Sequence, residues 1–271
     1  MSIKQQAVSV LKAATPIDKV AAAHKMAKLW STGQLSLQVE TDLPVPTKPG
    51  RPETPVLVSP QEVKRRRLGS QAGRVALLHA IAHIEFNAID LAADMLARYA
   101  HSERIAEDER KAFIDDWVQV CDDEARHFTM INDRLTDLGS HYGALTAHNG
   151  LWEAAITTSN DLAARLVVAP MVLEARGLDV TPSMIKKLIS VADKSSADIL
   201  EIIYAEEIPH VATGTRWFMH ICRRESLDSE KTFKSLLNSH YKGNLKPPFN
   251  KKARDLAGMP TGFYQPTTGF S

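Results

Sequence analysis

Asp122-Asp123-Glu124-Ala125-Arg126-His127 sets a glutamate and a histidine three residues apart, and Glu206-Glu207-Ile208-Pro209-His210 repeats the spacing further along the chain. On a helix, residues three apart project from one face, one turn above each other. Each pair is therefore a two-point grip for a metal ion. A dinuclear carboxylate site in a helical bundle takes one such grip from each of two helices and a lone inward glutamate from each of two others. Glu85 and Glu174 precede the two grips and supply the lone glutamates.

The surrounding sequence carries these residues on helices. From Gln71 to about His101, apolar residues recur at helical spacing (Val75, Leu78, Ile81, Ile84, Ala88, Leu91, Met95). A second helix runs from about Ala106 to Leu138, with Gly139 as its stop. The short link makes the two antiparallel neighbours. Glu85 and Glu124 then lie at one height, about 26 Å from the shared turn at about 1.5 Å per residue. A third helix is expected over Leu151 to Arg176, ending near Gly177, with Thr181-Pro182 opening another stretch to about Asp193. Ser195-Ser196 would cap a last long helix to Arg223. In this half the heights of Glu174 and Glu207 agree only if the 181–194 segment extends the third helix or makes a detour. Pro209 inside the second grip predicts a kink among the ligands.

Around this core, residues 3 to about 33 read as two short helices broken at Thr15-Pro16, a cap followed by a first-turn proline. From Leu35 to about Ser70, Pro44, Pro46, Pro49, Pro52, Pro55 and Pro60 exclude helix through most of the stretch. An extended surface strap is expected there, with a free linker as the alternative. Lys64-Arg65-Arg66-Arg67 closes it, as a solvated turn or as a phosphate-contacting patch. A short helix from about Asp228 to Ser239 leads into a Lys-, Pro- and Gly-rich tail whose Phe249, Phe263, Tyr264 and Phe270 suggest docking onto the body. The expected class is all-α: a four-helix bundle over 71–224, with the helical pair and strap of 1–70 packed on it and an extension over 225–271.

Composition limits the function classes. With 271 residues, 44% hydrophobic and 24% charged, the chain has the make-up of a soluble globular protein. A net charge of +1 gives no overall field toward nucleic acid or anionic lipid. Cys121 and Cys222 form no Cys-x-x-Cys, which argues against a zinc ribbon or a disulfide scaffold. The N-terminus has no apolar signal core and no uninterrupted apolar run spans a bilayer, so no membrane partner and a cytoplasmic location are the expectations.

Asp123-Glu124-Ala125-Arg126-His127 resembles the Asp/Glu-Glu-x-Arg-His signature of the ferritin-like di-iron carboxylate superfamily. The resemblance covers about residues 71 to 224. It implies two iron ions, with a manganese and iron pair as a variant. Glu85, Glu124 and His127 would hold one metal and Glu174, Glu207 and His210 the other, with Glu124 and Glu207 as bridges. Asp123 and Glu206 would orient ligand histidines from behind, and Arg126 would pair with such a carboxylate. Glu206 also competes with Glu207 as the ligand itself. Leu173-Glu174-Ala175-Arg176-Gly177-Leu178-Asp179 and the stretch from His210 to Phe218 are similar to an uncharacterised bacterial ferritin-like family. Its characterised relatives include a hydroxylase acting on isopentenyl-adenosine in tRNA.

The function these implications favour is a di-iron oxidase or monooxygenase. It would use dioxygen and an external electron donor on a small organic or tRNA-borne substrate, in a chain that can form a homodimer. An iron-oxidising or iron-storing ferritin-like subunit is the alternative, and a metal-free bundle is the third. Tyr204, one turn before Glu207, reads as a core tyrosine or as a donor behind the ligands. His79 and His83 read as structural or surface residues and not as ligands, Trp117 and Trp217 as packing, and Gly214 as a close helix approach or room for a ligand.

Overall fold

The computed structural model describes residues 1–38, 43–63 and 68–265, so Lys64-Arg65-Arg66-Arg67 and Phe270 lie outside the described residues. The expected all-α class is what the chain adopts, and it is compatible with a ferritin-like helical bundle. Among the described residues there is no strand, only two isolated bridges. The chain divides into two compact units, Met1–Glu153 with Lys186–Ile199, and Ala154–Ile185 with Leu200–Ser271.

In the first unit, α1 (Ile3–Lys12) begins with a capping box between Ser2 and Gln5, and α2 (Pro16–Ser31) begins with Thr15 capping Asp18 N–H and proline in its first turn. The two long helices are α3 (Gln71–Tyr99) and α4 (Arg110–Asp137). Gly139, at φ 69°, ends α4 in the left-handed region. The α3 helix packs against α4 and against α1, so it is buried nearly all round over Phe86–Ala97. By length and composition α3 could cross a membrane, which a criterion of uninterrupted apolar runs does not detect. It is instead the buried hub of this unit, and Glu85, Asn87, Asp90 and Asp94 lie inside it.

The proline-rich stretch is pinned at several of its described residues. Gly50 N–H donates to Leu11 O (2.7 Å), and Thr47 O accepts from Trp152 Nε1 (3.1 Å). Val58 N–H donates to Ala147 O (2.8 Å). A β-carbon on Gly50 would lie 2.5 Å from Lys12 O, so only glycine fits there.

The second unit departs from the expected helix boundaries. Where one helix was expected over 151–176, a short α5 (Gly150–Thr157) is followed by α6 (Leu162–Val168), capped afresh by Asp161 on Ala163 and Ala164 N–H. A π-helical turn, Ala169–Glu174, comes next. Pro170 has no N–H to give to the carbonyl four residues back, and a local shift to wider bonding accommodates it.

The α7 helix (Ala175–Ser190) does not stop at Gly177 and runs straight through Pro182. Pro182 leaves the Leu178 carbonyl without its helical donor, and Asn250 Nδ2 fills the place at 3.0 Å. That donor comes from 72 residues away in the sequence, beyond the reach of any local signal. The α8 helix (Lys194–Arg224) is likewise unbroken through Pro209. Its cap is Asp193, which accepts from Ser196 N–H (3.1 Å), and not the Ser195-Ser196 pair.

The C-terminal segment docks as expected from its aromatic residues. It contains α9 (Ser229–His240), α10 (Lys251–Leu256) and α11 (Thr261–Tyr264). Phe263 stacks on Phe233 (4.7 Å between centroids) and meets Phe218 edge-on (5.8 Å). Buried Arg254 donates to both oxygens of Asp179 (3.0 and 2.7 Å) and lies over the rings of Phe249 and Tyr264.

Candidate metal centre

In the first unit, Glu85 on α3 meets Glu124 and His127 on α4. Glu85 stands as far before the end of α3 at Tyr99 as Glu124 stands after the opening of α4 at Arg110, so antiparallel packing brings them level. His127 Nδ1 lies 3.4 Å from Glu85 Oε2 and 3.6 Å from Glu124 Oε2. All three side chains are buried, and their ligand atoms lie within 4.8 Å of one another. Glu124 and His127 belong to the buried face of α4, with Val120, Cys121, Phe128 and Ile131, and α4 packs against α3.

The electrostatics are those of a crowded anionic pocket. Burial and the Glu124 carboxylate push Glu85 up to about 8, with His127 opposing. Burial pulls the His127 imidazole down, but hydrogen bonding and charge from Glu124 and Glu85 outweigh it and raise it to about 12. Two buried carboxylates sharing one imidazole are costly to hold together. A divalent cation is a natural counter-charge, and the oxygen and nitrogen donors suit iron or manganese.

In the second unit, His210 is buried, with Nδ1 3.8 Å from Glu207 Oε2 one turn away on α8. Glu174 is half-buried at the last position of the π-helical turn. The α7 helix extends to Ser190 and α8 opens at Lys194. Glu174 therefore lies about 24 Å of helix before the end of α7, and Glu207 about 20 Å after the start of α8, at about 1.5 Å per residue. The mismatch expected from a stop at Gly177 shrinks to about 4 Å, less than one helical turn. Gly214 is the site of a close approach: a β-carbon there would lie 2.5 Å from Pro170 Cβ and Cγ. It seats the π-helical turn that carries Glu174 against α8.

The residues expected behind the ligands are placed as follows. Asp123 Oδ1 accepts from Arg126 Nη2 (3.0 Å) and Gln119 Nε2 (3.1 Å) on its own helix. Glu206, beside Glu207, is half-buried. The Tyr204 hydroxyl accepts from Asn250 Nδ2 (2.8 Å), the same amide that serves Leu178, which gives it a structural tie.

His79 and His83 take structural places against the connection after α4 and are not surface residues. Both are buried, and burial pushes each imidazole down to about 4. His79 Nε2 accepts from Gly143 N–H (3.0 Å) and Leu145 N–H (3.4 Å).

A buried ionic knot escaped the sequence reading. Lys19 Nζ on α2 donates to Asp90 Oδ1 (2.6 Å) and Val10 O (3.0 Å), and Arg51 from the strap lies 3.0 Å from Asp90 Oδ2. Arg51 also donates to Asn87 Oδ1 (2.6 Å). The available signal was an aspartate in the all-apolar run Ala88-Ile89-Asp90-Leu91-Ala92. The knot ties α1, α2 and the strap to α3 between one and two turns beyond Glu85.

A family described as proteins of unknown function, DUF455, matches residues 12–265. An uncharacterized protein of Haemophilus influenzae is 41% identical over 208 residues, covering 77% of this chain and 72% of its own. No solved structure matches.

Proposed function

The chain belongs to the DUF455 family, and within it we propose a dinuclear metal oxidase or monooxygenase that activates dioxygen. The observation that carries the reading is the buried triad of Glu85, Glu124 and His127, a hard donor set in a packed interior that already includes one of the two Glu-x-x-His grips. Glu174, Glu207 and His210 would complete the site as a second half with the same donors. Two irons, or manganese and iron, held there would supply two-electron reduction of dioxygen.

The chain's own contribution is to position and to dry. Phe86 and Phe128, the neighbours of Glu85 and His127, are buried with ring centroids 5.3 Å apart. They form an apolar wall that strengthens every charge beside it. An external donor would supply electrons. The resemblance to a tRNA hydroxylase suggests an organic substrate, with a modified nucleoside as the first to try.

Iron-loaded protein, reduced and mixed with dioxygen, tests the reading. A transient visible absorbance with about two irons per chain is expected. A large iron load in a cage-sized particle would favour iron storage instead. Loss of one hydroxylated tRNA nucleoside, with its unhydroxylated parent accumulating, in cells lacking the protein would identify the substrate.

A further inference from the structure

From Lys231 to Arg254 the chain holds seven lysines and arginines and no aspartate or glutamate, although its net charge is only +1. The remainder is therefore net negative, and cationic charge is concentrated on this one segment. Three of the seven are neutralised: Lys231 lies 3.9 Å from Asp228, Lys234 donates to Glu230 and Arg254 donates to Asp179. Lys242, Lys246, Lys251 and Lys252 are exposed and form no ion pair among the described residues. Their backbone is nevertheless fixed: Arg176 Nη1 donates to Lys246 O (2.8 Å), and Asn250 N–H donates to Asp179 Oδ1 (2.9 Å). Four like charges held along an ordered segment repel one another, and a polyanion relieves that repulsion.

The same segment lines a cleft of about 500 Å3. Phe249 and Tyr264, with ring centroids 5.2 Å apart, form part of its wall. Asn238, Asn244 and Gln265 also line it, and their side-chain amides make no hydrogen bond among the described residues. The Tyr264 hydroxyl is buried and has no hydrogen-bond partner there either. Aromatic walls, amides that both donate and accept, and a buried hydroxyl left over suit a flat polar heterocycle. We propose that this face of the C-terminal extension binds single-stranded nucleic acid, with one unstacked base in the cleft and the adjoining phosphates along Lys242, Lys246, Lys251 and Lys252. A duplex keeps its bases stacked and cannot fill the cleft, so the cleft selects single strands while the lysines supply affinity. The binding stands on these residues and does not rest on the dioxygen chemistry proposed above.

The test is fluorescence polarisation of the full chain, without added metal, against labelled strands of about 12 nucleotides: single-stranded RNA and DNA, the matching duplex, and a strand without bases. Both single strands are expected to bind, and the tighter of the two names the partner. The duplex and the baseless strand should bind at least about fivefold more weakly. Lys242→Glu combined with Lys246→Glu should weaken binding by about tenfold or more and flatten the slope of log affinity against log salt by about 1.4, at about 0.7 per phosphate. The same charge change at exposed Lys25 and Lys28 of α2 is the control and should leave that slope unchanged. Equal binding of the duplex or the baseless strand, or equal losses in the two charge-reversed proteins, overturns the proposal. Because no metal is added, a chain that binds the strand but takes up no iron keeps this surface and loses only the dioxygen chemistry. A chain that takes up iron and binds no strand overturns the surface alone.

Discussion

Replacing Asp90 with alanine is predicted to be among the most damaging single changes in the first unit. Asp90 is fully buried and meets two cations, Lys19 at 2.6 Å and Arg51 at 3.0 Å. Burial pulls Lys19 below its ordinary range and pushes Asp90 above its own, each partly offset by the other's charge, so the pair is held only as a pair. Removing Asp90 strands Lys19, which has no exposed surface and keeps Val10 O and the face of Phe86 but no anion. Arg51 is 20% exposed and keeps Asn87, so it can reach water. Stranding one buried charge costs about 3–5 kcal/mol. For a chain of this size that lowers Tm by on the order of 10 °C. Lys19→Met is expected to cost about 2–3 kcal/mol alone, because Asp90 retains Arg51. In the Asp90→Ala background it should restore stability, since it removes the stranded charge. Urea unfolding of the four proteins in this double-mutant cycle is the assay. A cost under about 1 kcal/mol for Asp90→Ala, or an equal cost of Lys19→Met in both backgrounds, would show that Lys19 and Asp90 are not held as a pair.

Three further outcomes follow from other contacts. Gly214→Ala drives a β-carbon into Pro170, and the overpacking should exceed the gain in helix propensity, for a net loss of about 1–2 kcal/mol by urea unfolding. Arg254→Ala removes both hydrogen bonds to buried Asp179 and should cost about 3 kcal/mol while exposing the segment after Asn250 to limited proteolysis. The His79 imidazole, held down to about 4 against an ordinary 6.5, is neutral in the fold and takes up protons more readily when unfolded. Its contribution is complete above pH 6.5 and is lost as pH falls toward 4, at about 1.4 kcal/mol per pH unit. His79→Gln should flatten that part of the stability profile, measured by urea unfolding at pH 7, 6 and 5.

Local signals made part of this molecule legible. Thr15-Pro16 and Gly139 marked real helix ends, and Glu85 fell opposite Glu124 because the count from the turn is symmetric on both helices. Tertiary partners hid the rest. Pro182 reads as a helix start until Asn250 is known to satisfy Leu178, and Pro170 gives no warning of a π-helical turn. Lys19 and Arg51 look like surface cations because their shared partner Asp90 lies on a different element from either, far along the sequence from both. In the candidate centre, the Glu-x-x-His spacing pointed to Glu124 and His127, which the fold brings beside Glu85.

Anaerobic titration of metal-free protein with Fe(II), counting bound metal in wild type, Glu124→Ala and His210→Ala, decides whether these residues hold metal. About two tightly bound ions per wild-type chain, and loss of metal in both variants, are expected. A wild-type chain that retains neither iron nor manganese, with stability indifferent to both substitutions, would contradict the metal-binding role.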